Sequence, residues 1–555
     1  MAIPSATPEG QRRSLFSRAL RLLRPSHQHT AFSATLLLMT AVLLSRVLGF
    51  AREMYIAWAF GAGGQVDAYV AGFTIPDWLN YLVAGGTASI TFVAIYTRFL
   101  AEKKEEEAQK TFSVIITVMT AVLGVGIVIA EIFAPQLDRM MFKGFDAEKL
   151  ALCVHLTRIL LPAQLFFYVG GVVSAVLLSR RLFLLPAFGP LVYNAGIIVG
   201  GLLFSHRLGI ASLAYGAVAG SFLGIFLMNA VGAARVGTGY SISFDVRNPA
   251  FREWVRLSIP LMLGVSLVTA DDWILRYFAS ATVGAIARLN YAKRLFAVPI
   301  SVLGQAAGQA SLPFFAQLFS EKRMREFADT VNGSVYRISA ASLLASSLMM
   351  SAALPLVDLA FHRGRFDLAA SQETATYFFW FSLSLALWAA QGLYARAFYA
   401  SGNTLTPMVA STLITAASIF VYKALFHAFS TVGLAVASDI GIAANTLAVA
   451  LLLHQRKLVS MRDLPWKELA KAGVTAALAG GLSYRVGGLV ATRDGGRMAD
   501  LEALALITVT WAAAVAGGLW ITRSQLPADL RRRRKKAAIS PVAPSTDALS
   551  GGMEP

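Results

Sequence analysis

The sequence predicts an all-α membrane protein with about fourteen transmembrane helices, arranged as two six-helix lobes plus two C-terminal helices. Of its 555 residues, 56% are hydrophobic and only 14% are charged, and the mean hydropathy is +0.60. Apolar runs of about 20 residues, the length that crosses a bilayer, recur along the chain. A soluble protein of this length needs more polar surface, so most of the chain is expected to lie in lipid.

The apolar segments follow one another with short polar connections. Residues 34–236 would form the first lobe, 252–456 the second, and 466–522 the two added helices. The second and eighth segments contain Pro76 and Pro299, which predicts kinks or breaks there. The fourteen segments are 34–60, 67–98, 110–134, 152–178, 184–205, 210–234, 254–277, 282–316, 330–358, 372–400, 405–427, 432–454, 467–490 and 501–522.

Both ends of the chain are predicted to face the cytoplasm, because lysine and arginine are enriched in alternate connections. Residues 1–33 form a basic segment, which could be an amphipathic surface helix at 14–23 or a disordered tail. It has no apolar core with a cleavage site, so no cleaved signal peptide is expected. Residues 523–555 are predicted to be a basic disordered tail.

A weak internal repeat agrees with two equivalent lobes. Three positions of the second segment can be laid over three positions of the eighth at a constant offset of 223 residues. These are Pro76, Gly85 and Phe92 over Pro299, Gly308 and Phe315.

Several classes of function are not expected. The net charge of +18 is concentrated in connections and termini, without a nucleic-acid-binding motif. A single cysteine, Cys153, cannot form an internal disulfide, and the histidines lack metal-ligand spacing. No catalytic residues, metal or cofactor are therefore predicted. An enzyme acting on a lipid phosphate stays open, although no nucleophile and base pair is evident.

Arginines inside the first and eighth segments cannot face lipid, because a charge at the bilayer centre costs about 2.5–3.5 kcal/mol or more. Arg46, Gly49 and Glu53 fall on one face of a helix, and Arg52 lies about 120° away. With Arg294, these arginines suit an anionic ligand, since guanidinium groups bind phosphate oxygens at two points.

A structural alternative is that these arginines pair with Asp67 or Glu53 to hold helices together. Asp67 could also orient one arginine or take part in coupling.

Several blocks between about residues 34 and 456 resemble the MurJ (MviN) family of lipid II flippases, in the MOP exporter superfamily. The resemblance is specific only when the blocks are taken together. They include Ser45-Arg-Val-Leu-Gly-Phe-Ala-Arg-Glu53, Phe60-Gly-Ala-Gly63, Asp67-Ala-Tyr69, Leu185-Pro-Ala-Phe-Gly-Pro190 with Asn194, Leu289-Asn-Tyr-Ala-Lys-Arg-Leu295, and Arg396-Ala-Phe-Tyr-Ala400.

The resemblance implies two lobes around a central cavity, with Arg46, Arg52 and Arg294 engaging the pyrophosphate of the substrate and Asp67 as a further important residue. The two last helices would form a groove for the lipid tail. The supporting candidates are Gly49, Glu53, Asn80, Lys293 and Arg396.

The chain also departs from the family pattern. Asn80 stands where arginine is common, Gly85 where glutamate is common, and Lys293 in place of an aspartate. Ala297 likewise replaces an acidic residue, and Asp77 an asparagine. These departures leave the nature of the sugar or peptide portion of the substrate open.

The predicted function is translocation of undecaprenyl-pyrophosphate-linked peptidoglycan precursor, lipid II, from the inner to the outer leaflet of the bacterial cytoplasmic membrane by alternating access. The protein would be a transporter and not an enzyme. Alternatives are a flippase for another polyprenyl-linked polysaccharide unit, or a non-transporting scaffold that binds lipid intermediates. Membrane potential, worth about 2.3 kcal/mol per charge at 100 mV, or a monovalent cation could drive transport. Membrane lipids and cell-wall synthesis proteins are the expected partners.

Overall fold

The structure, a computed structural model, describes residues 31–81, 87–263, 267–490 and 496–529. Within these ranges every regular element is helical, which confirms the predicted all-α class. The predictions for residues 1–30 and 530–555, including the surface helix at 14–23 and most of the basic tail, lie outside the described residues, as does Gly85.

The helices up to the middle of the chain are α1 (Ala31–Phe60), α2 (Gly64–Gly72), α3 (Thr74–Leu79), α4 (Thr87–Ala101), α5 (Glu105–Met141), α6 (Ala147–Leu160), α7 (Ala163–Ser179), α8 (Leu184–Leu208), α9 (Ala211–Gly220), α10 (Met228–Arg235), α11 (Pro249–Leu263) and α12 (Leu267–Ala279). Those that follow are α13 (Ala285–Pro299), α14 (Ala307–Ser320), α15 (Met324–Ser351), α16 (Ala353–Phe361), α17 (Leu368–Leu383), α18 (Leu385–Ala400), α19 (Leu405–Gln455), α20 (Trp466–Val490) and α21 (Gly496–Ile521). π-Helical turns join α9 to α10 and α13 to α14.

Seven helices of the described chain are long and apolar enough to cross a membrane, or nine when two pairs bent by 68° and 43° are each counted as one span. Each of the fourteen predicted segments overlaps a helix, but the count of fourteen spans stays a prediction. The helical geometry changes where proline predicts it, since Pro299 ends α13 and a π-helical turn follows. A non-helical Ser430 inside α19 separates the predicted segments 405–427 and 432–454.

The chain divides into two compact units, and the first comprises residues 1–295, 360–374 and 415–434. In this unit α1 packs on α8, α2 on α6, and α4 on both α7 and α11. Phe92, Phe112 and Trp254 belong to its buried apolar core. Helices α8 and α9 pack through glycines, and a Cβ atom on Gly196 would lie 2.7 Å from the Cα of Gly220. Small residues allow this backbone approach, as is common between membrane helices.

The second unit comprises residues 296–359, 375–414 and 435–555. Helix α15 packs on α18 and α20, and α20 packs on α21. Trp511 donates a hydrogen bond to Ser347 at 2.9 Å, and Phe315, the repeat partner of Phe92, is fully buried in the core. The backbone N–H of Gln525 donates to Glu468 at 2.9 Å, so the described start of the predicted tail, 523–529, packs against α20. The division of the chain into lobes at 34–236 and 252–456 stays a prediction.

Candidate functional site

Five polar side chains of the first unit meet in what we call the arginine site: Arg52, Glu53, Asn194, Asn290 and Arg294. They come from α1, α8 and α13. Arg52 donates to Asn194 at 3.1 Å and forms an ion pair with Glu53. Asn290 donates to the other Glu53 oxygen at 3.4 Å, and Nε of Arg294 lies 3.6 Å from Glu53. Glu53 thus pairs with both arginines, as the structural alternative allows, and its pair with Arg294 is the one that joins two helices, α1 and α13.

The sequence explains why α8 presents an amide oxygen to this site. The side-chain N–H of Asn194 donates to the carbonyl oxygen of Pro190, one turn earlier in the same helix, at 2.9 Å. That bond fixes the rotation of the amide, so its oxygen points to Arg52. Opposite, a Cβ atom on Gly49 would lie 3.7 Å from the Asn194 side chain. Gly49 thus keeps the helix face beside Asn194 free of side-chain bulk.

The two arginines of the site differ in how firmly they are held. The Arg52 side chain is only 15% exposed and is bonded on both sides. The Arg294 side chain is 52% exposed, and its ion pair within the described residues is with Glu53, through Nε. Its two terminal amino groups therefore remain available to a ligand. Two guanidinium groups and one carboxylate give the site a formal charge of +1, which suits an anionic ligand.

Of the two other predicted arginines, one belongs to α1 and the other to the second unit. Arg46 is exposed and lies six residues before Arg52 in α1. Arg396, in the second unit, donates to the carbonyl oxygen of Gly392 at 2.9 Å. It packs so closely on α14 that a Cβ atom on Gly308 would lie 2.7 Å from its Nε.

Asp67 is fully buried and binds the start of α13. Its two carboxylate oxygens accept from the backbone N–H groups of Gly284 at 2.5 Å and Ala287 at 2.9 Å, and Lys149 lies 3.9 Å away. The first amides of a helix lack partners within the helix, and a carboxylate satisfies them well. Arg294 lies ten residues after Gly284, about 15 Å further along the axis of α13. Asp67 thus holds the helix that carries Arg294.

Glycine permits the close approach of chain segments around this cap. Gly284 has a φ of +79°, and a Cβ atom there would lie 2.4 Å from the carbonyl oxygen of Ala62. Gly61, with a φ of +76°, accepts a hydrogen bond at its carbonyl from the Tyr291 hydroxyl at 3.0 Å. The turn between α1 and α2 is therefore tied to the first turns of α13.

Lys293 occupies a second charged cluster, which we call the lysine cluster: Lys293, Asp271, Asp272 and Tyr422. The ammonium of Lys293 on α13 bonds to both carboxylates, which are consecutive on α12. The hydroxyl of Tyr422, on α19, donates to the other oxygen of Asp271. Asp271 and Tyr422 are buried, whereas Asp272 is half exposed.

Asn80 lines a separate cavity of about 80 Å³ in the first unit, together with Asp77, Gln164 and Tyr193. Asp77 pairs with Arg276 at 3.6 Å, and Arg276 also donates a hydrogen bond to the Thr74 hydroxyl at 3.0 Å. Tyr193, which lines this cavity, precedes Asn194 in α8. Of the other departures, Ala297 is an exposed residue of α13.

Sequence reasoning missed several partners of these charges. Asn194 stands out in the sequence only as part of a motif, although an amide in an apolar helix is itself a signal of a polar partner. Lys149 falls in the connection between segments 110–134 and 152–178, yet it is buried beside Asp67. Tyr422 carried no signal, because aromatic residues are common in apolar helices. Across the described ranges, no group of three or more His, Cys, Asp or Glu side chains could hold a metal ion.

These features define the class of protein as a polytopic helical membrane protein with two arginines gathered in a polar site among its helices. Solved structures share the fold. A lipid II flippase MurJ in an inward closed conformation matches 87% of this chain and 99% of its own, with a TM-score of 0.74 at 20% identity. An inward-facing multidrug resistance MATE family transporter of the MOP superfamily covers 76% of the chain with a TM-score of 0.61 at 15% identity.

The chain belongs to the lipid II flippase MurJ family, whose model matches residues 56–493. The lipid II flippase MurJ of Burkholderia cenocepacia is 28% identical over 525 residues, covering 91% of this chain and 99% of its own. A probable lipid II flippase MurJ of Buchnera aphidicola is 26% identical over 425 residues, covering 76% of this chain and 83% of its own. The resemblance seen in the sequence is thereby confirmed, and so is the assignment to multi-pass membrane transporters.

Proposed function

We propose that this protein translocates lipid II from the inner to the outer leaflet of the cytoplasmic membrane by alternating access. The observation that carries the proposal is Arg294, half exposed and held by Glu53 beside Arg52, whose side chain is 15% exposed. A guanidinium with two available amino groups can bind two oxygens of a pyrophosphate. The site needs no catalytic group for this task, and the protein acts as a transporter without chemical change of its substrate.

The proposed transport cycle requires the central cavity, which the family resemblance implies, to open at one end while its other end stays closed. With both termini cytoplasmic, the turn between α1 and α2 lies on the outer side, and the end of α4 on the cytoplasmic side. Arg98, at the end of α4, forms a two-point ion pair with Glu253 of α11, with its shorter contact at 2.6 Å. This exposed pair would separate when the cytoplasmic end opens. Membrane potential or a monovalent cation supplies the drive, and cell-wall synthesis proteins are proposed as partners.

The experiment that tests this function is rescue of bacteria depleted of their own lipid II flippase. Expression of the full chain is expected to restore growth and normal cell shape, because the arginine site and family membership both point to lipid II. Protein abundance in the membrane fraction is measured in parallel. Absence of rescue at normal abundance would contradict the proposal. If the chain instead rescued a strain that lacks a flippase for another polyprenyl-linked unit, that other unit would be favoured as the substrate.

A further inference from the structure

The lysine cluster gathers three helical segments of the first unit around one positive charge. Lys293 of α13 bonds to Asp271 and Asp272 of α12, and Tyr422 of α19 bonds to Asp271 from the other side. Asp271 is 2% exposed, and the Lys293 side chain is 20% exposed. The ammonium thus bridges one buried carboxylate, that of Asp271, and one half-exposed carboxylate, that of Asp272.

Two adjacent carboxylates within the protein need a cation. Taking a charged group out of water costs several kcal/mol, and a like charge beside it raises that cost. Here the ammonium of Lys293 supplies the compensating charge by direct contact. The next cation along α12, Arg276, is engaged with Asp77 and Thr74 instead. Lys293 therefore neutralises this pair at the closest range.

The geometry around the ammonium resembles that of an oxygen-lined cation site. Carboxylate oxygens are the ligands that hard cations prefer, and an ammonium is a compact point charge on a flexible stem. A cavity of about 20 Å³ adjoins Lys293, Asp272 and Asn290, which is large enough for one water molecule. Shortening the lysine would enlarge this space, so that a partly hydrated ion could enter.

We propose that Lys293 is a tethered monovalent cation, which permanently occupies the place between Asp271 and Asp272 that a diffusible alkali cation would otherwise take. The wild-type protein then needs no soluble cation at this position. Lys293 neutralises Asp271 and Asp272 and does not bind the substrate. Replacing it by a short neutral side chain leaves two carboxylates that recruit Na⁺.

The test is thermal unfolding of the purified full chain in detergent, in NaCl and in choline chloride at equal concentration. Wild type is expected to have the same Tm in both salts. Lys293→Ala is expected to have a Tm that rises by several degrees in NaCl and saturates with concentration, because a bound ion stabilises the folded state by mass action. The double variant Lys293→Ala/Asp271→Asn, with one carboxylate removed, should lose this rise.

Lys149→Ala is the matched control, because Lys149 is also buried beside a carboxylate. That carboxylate, Asp67, already accepts from two backbone N–H groups, so no sodium effect is expected. A sodium-specific rise in wild type that Asp271→Asn removes, or equal Tm values of Lys293→Ala in both salts, would overturn the proposal. So would failure of both Lys293→Ala and Lys293→Gln to give monodisperse protein in NaCl. Because the measurement contains no lipid II, its outcome is independent of the proposed transport function.

Discussion

Arg294→Ala is expected to abolish rescue of cells depleted of lipid II flippase, while the protein stays folded in the membrane. The side chain is half exposed and its contact with Glu53 is long, at 3.6 Å, so its loss disturbs packing little. Losing a charge-assisted hydrogen bond costs about 1.5–3 kcal/mol, or roughly a tenfold to hundredfold loss in affinity for the pyrophosphate. Arg294→Lys, which keeps the charge without the planar fork, is expected to rescue only in part.

Arg323 provides a matched control for this experiment. Its side chain is 48% exposed and it pairs with Glu321 and Glu326 at 2.8 and 2.6 Å. It lies just before α15, outside the arginine site, and its hydrogen bonds hold the pKa of Glu326 below its usual range. Arg323→Ala should rescue as wild type does. Full rescue by Arg294→Ala at equal abundance would show that the pyrophosphate is not captured there.

Asp67→Ala is expected to lower thermal stability strongly and to abolish rescue as well. It removes the acceptors of the Gly284 and Ala287 amides and leaves Lys149 buried beside them. A buried donor without a partner costs about 1–3 kcal/mol, and α13 would lose the contact that positions Arg294. Asp67→Asn keeps one acceptor oxygen, so an intermediate Tm is expected. The Tm in detergent and the rescue assay are measured on the same variants.

Asp146 is the matched control for the cap. It also caps a helix, since its carboxylate accepts from the backbone N–H of Lys149 at 2.8 Å. It is exposed, however, and its bond is local in the sequence. Asp146→Ala is expected to cost about 1 kcal/mol, the usual value for an N-cap. If Asp67→Ala were as stable as Asp146→Ala, the role of Asp67 in holding α13 would be wrong.

Much of the fold follows from the sequence because burial in a bilayer demands long apolar helices. Pro299 marks a change from α-helix to π-helix, and a kink at Ser430 separates two predicted segments. Breaks inside segments were harder to predict. The division of segment 372–400 at Ser384 has no proline or glycine signal, because it depends on packing between helices.

The candidate site was predictable in its charges but not in its pairings. An arginine or aspartate in an apolar segment must meet a partner, so Arg52, Arg294 and Asp67 stood out. Which partner each one meets depends on contacts between helices more than 100 residues apart, as with Arg52 and Asn194. The sequence could place Lys293 in the site by resemblance, but only the structure shows it bonded to Asp271 and Asp272.

Transport of lipid II by the purified protein shows whether this chain moves the lipid and whether Arg294 is needed for that movement. The full chain is reconstituted into vesicles containing lipid II labelled on its headgroup, with an imposed membrane potential, and an impermeant quencher is added outside. For wild type we expect quenching to rise beyond the outer-leaflet fraction as headgroups cross, and for Arg294→Ala to stay at that fraction. Wild-type vesicles that never exceed the outer-leaflet fraction, or an Arg294→Ala variant that transports as fast as wild type, would contradict the account.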